Sequence, residues 1–465
     1  METISWSQRL QQNPDTAAGA AMLALLRRMD AFQWWDPDNV EAEQYKALGK
    51  LLAHARKTIP HYARALKSVK SLKPKNLAQG AWHHVPILTR AAVNEAGEEL
   101  MSRSVPKKHG GLNPIYTSGT TGRPVRVVRT SHALQYWSAF TTRDHIWHDR
   151  DISQTLAVSR SSEKGFAIYP EGVEHQSWGS PGVFSSGPAF SLNVNTSIAD
   201  FAEWLTRINP AYFMTLPNIM KRLAPYCRDR GIDLPNLKEA YVHGEVCTDF
   251  IRGAVNDAWG VALHDMYSSR EIGYMALQCP ENDHYHVQAE GVVLEVLDDN
   301  DQPCGPGETG RVIVTTLRNY AMPLIRYEVG DRAKMGGTCS CGRGLPVLNR
   351  IIGREQDVLI LPNGEQRWTL LGSPDVRDLM NMAPIRQYQF AHVASDVIEV
   401  RLGIGRQLTE QESARITDFV QKKFGYPFTI QFQCADELPR TKAGKFRDFV
   451  REIPLPDGTD QAASG

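Results

Sequence analysis

Tyr116-Thr117-Ser118-Gly119-Thr120-Thr121-Gly122-Arg123-Pro124 puts four aliphatic hydroxyls, two glycines and a cation into one short stretch. Residues 112–116 and 125–128 on either side are largely apolar, which predicts a loop joining two strands. Glycine lets a backbone approach a ligand closely and turn several N–H groups the same way. The hydroxyls add donors and Arg123 adds a charge. Such a loop suits a polyphosphate, although a polar hairpin turn draws on the same residue types. It is not the Walker pattern, because no Gly-Lys-Ser/Thr follows at the right spacing.

Outward from this loop, short β-rich runs alternate with helical patterns over residues 110–350. Runs at 155–158 and 211–214 read as strands, and 198–207 and 219–224 as helices, so an α/β core is expected. Before the loop, residues 1–80 read as mostly helical, with apolar spacing at 45–55 and Ile59-Pro60 closing that helix. After Gly353-Arg354 the pattern becomes strand, strand, helix, strand at 388–392, 397–402, 410–423 and 428–432. The expected division is a large domain over 1–353 and a small α+β domain over 354–465.

The 465 residues carry 52 basic and 52 acidic side chains, so nothing electrostatic argues for a nucleic-acid partner. No apolar run approaches the roughly 20 residues that span a bilayer, so no membrane partner is expected. Residues 17–26 read as part of an amphipathic helix starting near Asp15 or Thr16 rather than a signal peptide, and the chain is expected in the cytoplasm. Seven cysteines over this length do not form a disulfide framework.

Four more stretches carry chemistry. In His243-Gly244-Glu245, the glycine follows an expected strand and lets a flat ring approach the backbone; a plain turn has the same composition. In Asp265-Met266-Tyr267-Ser268-Ser269-Arg270-Glu271, the tyrosine can stack on an aromatic base and the glutamate can hold Mg²⁺. In Tyr327-Glu328-Val329-Gly330-Asp331, a Gly-Asp at a strand end can accept hydrogen bonds from two neighbouring hydroxyls, as a ribose offers, or form an Asx turn. In Leu438-Pro439-Arg440-Thr441-Lys442-Ala443-Gly444-Lys445, a lysine on a glycine-containing loop can stabilise charge between a phosphate and a carboxylate, or lie in a solvated basic patch.

Together and in this order, these motifs resemble the adenylate-forming superfamily, and within it the phenylacetate–CoA ligase branch and its capsule-biosynthesis relatives. The resemblance runs over residues 45–450 and includes Val85-Pro86-Ile87-Leu88-Thr89-Arg90, Thr215-Leu216-Pro217-Asn218 and Gly353-Arg354. It implies a large α/β domain with a β-barrel-like part and a small mobile C-terminal lid. It also implies ATP-dependent activation of a carboxylic acid to an acyl-adenylate, with pyrophosphate leaving and a thiol such as CoA taking the acyl group. By motif match, Thr117, Ser118, Gly119, Thr120, Thr121 and Gly122 would cradle the β- and γ-phosphates. Glu271 would bind Mg²⁺, Tyr267 would pack on adenine, Asp331 would hold the ribose, and Arg354 would reach ribose or phosphate. Gly244, Glu245, Asp265 and Ser268 would line the nucleotide site, and Lys445 would bridge carboxylate and α-phosphate. An aromatic or small hydrophobic acid would lie near residues 137–147, 164–190 and 243–247. A homodimer fits the branch. A non-enzymatic nucleotide-binding protein would not need Glu271, Asp331 and Lys445 together.

Departures from the family pattern bear on the acceptor. Gln356 stands where the branch has aspartate at the hinge, Leu361-Pro362-Asn363-Gly364 replaces its Gly-Val-Asn-x-x-Pro run, and Arg270 stands where Thr or Ser is expected. A carrier-protein thiol or an amine is therefore the alternative acceptor, and Arg270 could pair with an acidic substrate or phosphate.

Cys279, His284 or His286, Cys339 and Cys341 make a set of three thiols and an imidazole, which suits closed structural zinc. A Gly-rich turn with buried free thiols is the competing reading. The resemblance favours zinc and favours His286 over His284. Cys227, Cys247, Cys304 and Cys434 are assigned to packing.

Overall fold

The computed structural model describes residues 5–12, 14, 16–116, 126–161, 165–179, 183–354, 358–363, 366–368, 373–439 and 446–453. The N-terminal region is helical, as expected. Ala17–Phe32 starts where the Thr16 hydroxyl accepts from the Gly19 N–H at 3.0 Å. Pro37–Thr58 ends at Ile59, but Pro60 does more than close it. With no N–H to lose, it opens the next helix, Pro60–Ala65. These helices bury Leu48, Leu51, Leu52 and Tyr62 against the segment Met322–Tyr327 of the sheet domain.

Leu112–Tyr116 (β1) and Arg126–Thr130 (β2) form an antiparallel pair with Tyr116 opposite Arg126, so the hydroxyl-rich stretch does join two paired strands. The large sheet contains Leu156–Ser161 (β3), Val173–His175 (β4), Ala189–Asn193 (β5), Tyr212–Thr215 (β6), Glu239–His243 (β7) and Ala262–Ser269 (β8). It continues through Gly273–Gln278 (β9), Tyr285–Val287 (β10), Val292–Leu297 (β11), Thr309–Thr316 (β12), Tyr327–Met335 (β13) and Val347–Arg354 (β14). Among the described residues these twelve strands run in the order β11-β12-β13-β14-β10-β9-β8-β7-β6-β3-β5-β4.

The sheet has two halves. Strands β5, β3, β6, β7 and β8 pair parallel, linked by the helices Ile198–Ile208, Pro217–Asp229 and Asp249–Trp259. From β8 onward every pairing is antiparallel. The part expected to be barrel-like is this antiparallel half, hydrogen-bonded into the same sheet. The halves meet at β8, where the ends of parallel strands open a crevice suited to ligands.

Helix Ser131–Trp147 crosses this junction. It starts at Thr130, whose hydroxyl accepts from the Ala133 N–H at 3.2 Å. Arg143 anchors it, donating to Glu290 Oε1 at 2.5 Å and to the Met29 carbonyl at 2.7 Å. Phe140 lies so close to Gly291 that an added Cβ would sit 2.6 Å from its ring, so only glycine lets the helix approach here.

Val358–Ile360 (β15) and Gln366–Trp368 (β16) form a short pair. A second sheet of Gln387–Ala394 (β17), Val397–Gly403 (β18), Thr429–Ala435 (β19) and Phe449–Arg451 (β20) runs in the order β19-β18-β17-β20. Helix Glu410–Phe424 covers it, starting from a reciprocal cap between Thr409 and Glu412. Phe390, Val400, Ile416, Phe424 and Phe428 form a core of their own. Among the described residues no helix is long and apolar enough to cross a membrane.

Candidate active site

Two sheet irregularities create the first half of the site. On β13, Arg332 faces Arg311 while Glu328 faces Ile313, so Val329, Gly330 and Asp331 bulge out opposite Val312 alone. Gly330 takes φ +81° there, a conformation that favours glycine. On β8 the register shifts between Tyr267 and Ser268. Bulges re-aim side chains, and here they bring the Tyr267 hydroxyl to Asp331 Oδ2 at 2.8 Å. The Gly-Asp pair lies inside a strand that runs on to Met335, not at a strand end as the sequence predicted. The bulge does the work assigned to the end. Asp331 also faces Arg354 across the β13–β14 ladder, which puts the backbone of Arg354 beside the same point.

Glu271 sits in the turn between β8 and β9, only 9 % exposed. Arg129 on β2, a residue the motifs did not reveal, lies in its electrostatic field and lines a small cavity with it. Arg129 is buried, lies 4.4 Å from the Trp137 ring, and its Nε and one Nη have no hydrogen-bond partner among the described residues. Burial pulls its guanidinium down to about 10 against the opposing field of Glu271. Arg270 is exposed at the rim of the same cavity.

Gly244, with φ +81°, turns the chain after β7. Glu245 then accepts from the Asn218 N–H at 3.0 Å, from Asn218 Nδ2 at 2.7 Å and from the Phe446 N–H at 2.8 Å. Glu245 thus ties the start of helix Pro217–Asp229 to the C-terminal segment. Lys221 reinforces the tie, reaching Asp448 at 2.7 Å and lying 4.0 Å from the Tyr388 ring. Asp265 lines the cavity too, but its oxygens are engaged by the Met266 N–H and the Tyr285 hydroxyl, both at 2.8 Å. Burial pushes its carboxyl up to about 6. These bonds brace the strand that carries Tyr267 and Ser268.

Thr117, Ser118, Gly119, Thr120, Thr121 and Gly122 lie outside the described residues, as do Lys445, residues 355–357 of the expected hinge and the side chain of Arg354. Phe446, directly after Lys445, and Gly353, directly before Arg354, line the cavity with Gly244, Tyr267, Glu271 and Asp331.

The cavity has a volume of about 750 Å³. Beyond Gly244, Tyr267, Glu271 and Asp331 it extends along β7 and β8 toward Trp137, Trp178, Tyr241, Met266 and Tyr274. All three segments expected to border an acid, around 137–147, 164–190 and 243–247, contribute to its wall. Under the aromatic lining lies a charged network. Arg150 is fully buried, donates to Asp144 Oδ2, and donates to Glu239 Oε1 from Nε at 2.9 Å. His264 Nδ1 lies 2.8 Å from the same Glu239 oxygen, and the Arg150 guanidinium sits 4.3 Å from the Tyr241 ring.

Away from this cavity, Cys279, His286, Cys339 and Cys341 converge with all four ligand atoms within 4.8 Å of one another. The Cys279–Cys339 sulfur separation is 3.8 Å. A tetrahedral zinc with bonds of about 2.3 Å to sulfur sets its thiolates about 3.8 Å apart, so the donor set fits. His286 Nδ1 faces the Leu345 carbonyl, which leaves Nε2 toward Cys341 at 3.3 Å. His284 is also close, with Nε2 2.9 Å from Cys339, but His286 completes the converging set.

Residues 51–319 match the model of the AMP-binding enzyme family. The chain belongs to that family. Among curated proteins it is 26% identical over 261 residues to phenylacetate–coenzyme A ligase of Thermus thermophilus, a match covering 53% of this chain and 55% of that enzyme. It is 21% identical over 418 residues to protein CapK of Staphylococcus aureus, covering 86% of each. Among solved structures, a 2-hydroxyisobutyryl-CoA ligase in the postadenylation state superimposes with a TM-score of 0.67 at 18% identity, covering 97% of this chain and 93% of that one. That likeness establishes the adenylate-forming ligase fold.

Proposed function

We propose that this AMP-binding family member activates an aromatic carboxylic acid with ATP, forming an acyl-adenylate and pyrophosphate, and then transfers the acyl group to CoA. One observation carries the reading: the Tyr267–Asp331 hydrogen bond beside buried Glu271, at one end of a cavity whose other end is aromatic. The polar end suits a nucleotide and the aromatic end suits an acyl group. The phenylacetate–coenzyme A ligases among its relatives support an aromatic acid.

In this reading, Asp331 accepts from the ribose hydroxyls while Tyr267 holds its other oxygen and offers a ring to adenine. Residues 117–122 supply N–H and hydroxyl donors to the β- and γ-phosphates. Magnesium bound at Glu271 would offset triphosphate charge, and Arg129 limits the repulsion that a second buried anion would meet. The acid's carboxylate oxygen bonds to the α-phosphorus as the bond to the β-phosphate oxygen breaks. Lys445 donates to both the carboxylate and the α-phosphate; its neighbour Phe446 donates its N–H to Glu245 at the cavity wall, which supports this role. The chemistry needs alignment and charge neutralisation more than covalent help.

Residues 354–465 act as the lid, moving after adenylation to admit the acceptor. Gln356 at the hinge favours a second reading of the later step, in which a carrier-protein thiol or an amine replaces CoA. The Cys279–His286–Cys339–Cys341 set holds structural zinc, tying the β9–β10 turn to residues 339–341. The seven free cysteines fit the reducing cytoplasm.

Acid-dependent exchange of labelled pyrophosphate into ATP tests the first half-reaction. Exchange with aromatic acids and none without acid is expected; no exchange with any acid overturns it. Metal analysis of untagged protein tests the zinc, where near one equivalent is expected.

A further inference from the structure

The acyl end of the cavity is not uniformly apolar. Asp144 and His145, adjacent on helix Ser131–Trp147, both line it, as does Tyr241. Asp144 Oδ2 is taken by Arg150, and Oδ1 lies 3.6 Å from His148. His145 Nδ1 lies 3.2 Å from an Arg150 Nη. A guanidinium only donates, so Nδ1 must accept, and the neutral ring carries its proton on Nε2. Burial and the neighbouring Arg150 charge pull His145 down to about 3, so the ring stays neutral at ordinary pH. Its Nε2–H and the Tyr241 hydroxyl have no hydrogen-bond partner among the described residues.

These groups lie deep. Tyr241 is three residues before Gly244 on β7. At strand rise that is roughly 10 Å from the nucleotide-side turn, on the scale of one substituted aromatic ring. Trp178 stands edge-on to His145 with ring centroids 5.1 Å apart, and Trp137 and Tyr274 pack against each other at 5.8 Å, so the space between is walled by rings.

We propose that the acid carries a hydroxyl on its aromatic ring, seated at this deep end between the Asp144 carboxylate and the His145 Nε2–H, with the Tyr241 hydroxyl alongside. The proposal rests on the acid-activation reading and narrows its substrate class. A hydroxyl both donates and accepts, which Asp144 and His145 respectively require. An ammonium group only donates and would leave the His145 N–H unanswered. A second carboxylate would face the Asp144 carboxylate, whose cation Arg150 is already shared with Glu239. An unsubstituted ring would bury polar groups without partners. A site built to hydrogen-bond a substrate hydroxyl discriminates against the analogue lacking it far more strongly than an apolar pocket does.

The same geometry argues against metal at the nearby His148, Glu239 and His264. Their ligand atoms converge, but a divalent ion there would meet the Arg150 guanidinium already bonded to Glu239.

The test is pyrophosphate release from Mg-ATP with matched acids: phenylacetate and benzoate, their hydroxy derivatives at each ring position, and the amino analogues. The best hydroxy acid is expected to exceed its unsubstituted parent at least about 100-fold in kcat/KM. Tyr241→Phe and His145→Leu should each shrink that ratio at least about tenfold, and His145→Gln, which keeps an acceptor for Arg150 and an N–H donor, should restore part of it. If His145→Leu does not fold, Tyr241→Phe carries the test, because it keeps the ring over Arg150 and removes one oxygen. Unsubstituted acids that match or outperform hydroxy acids overturn the hydroxyl assignment and leave acid activation standing. A hydroxyl preference untouched by both variants overturns the placement. No release with any acid overturns both readings.

Discussion

The two ends of the cavity are built differently. The nucleotide end uses residues at strand irregularities and turns, each inside a short motif: Tyr267 and Glu271 lie four positions apart, and Asp331 follows a glycine. The proposed acyl end draws on residues from distant places: Asp144, His145 and Tyr241 line it, and behind them lie Arg150 after the same helix, Glu239 from β7 and His264 from β8. In the proposed reading the nucleotide end meets a ligand of fixed chemistry, so its residues recur at readable spacings. The acyl end sits on a buried charge network, so its residues hold the fold as well as meet the ligand. Substitutions at the first end should therefore change activity with little change in stability, and at the second should change stability first.

The largest contrast is expected at Arg150. Arg150→Met would leave the Asp144 and Glu239 carboxylates buried without their cation. Breaking a buried pair this way costs about 3–5 kcal/mol, readable as a fall in the denaturation midpoint. A midpoint near wild type would show that the network does not support the fold.

Lys445→Ala should have the opposite signature. Adenylation should fall by about 10²–10³ in kcat, the scale for removing one donor aimed at developing charge, while ATP binding by calorimetry and the melting temperature stay close to wild type. Near-normal adenylation would refute the assignment. Asp331→Asn should act before the chemistry. It removes a charged acceptor held by Tyr267, and a loss of about 1.5–3 kcal/mol would weaken ATP binding roughly 10- to 100-fold. Unchanged ATP affinity would break the ribose assignment.

How much of this was legible in the sequence follows the same divide. The strands flanking residues 117–125, a helix start near Asp15 or Thr16, the helical N-terminus and the small α+β unit were readable because caps, periodicity and turns are local. The residue types at Tyr267, Asp331 and the Cys/His set were readable too. That Val329, Gly330 and Asp331 bulge opposite Val312 was not, because register belongs to two strands at once. Nor could Arg129 be linked to Glu271, or Arg150 to Glu239, since those partners meet only when the sheet assembles. Asp265 shows the converse. It sits within a motif, yet its oxygens are spent on Tyr285 and its own strand.

The smallest expected effect is a pH dependence that belongs to the acyl end. Burial and the Arg150 charge hold His145 down to about 3 and His148 down to about 2, from an ordinary 6.5. Below that ordinary value the unfolded chain binds protons that the folded chain refuses, so stability falls as pH drops from 6.5 toward 3. Each buried histidine contributes up to about 1.4 kcal/mol per pH unit in that window. Denaturation at pH 7 and pH 5.5 should show the loss, and His145→Gln should reduce it. Stability that is flat across this range would mean these rings are protonated or solvated in the fold.

The most direct test of acid activation is pyrophosphate release from Mg-ATP across aromatic and aliphatic acids, each with and without CoA. Release that depends on an aromatic acid and becomes multiple-turnover with CoA is expected. Acid-dependent release indifferent to CoA would keep adenylation and move the acceptor to a carrier protein or an amine. Release that no acid stimulates would contradict the account.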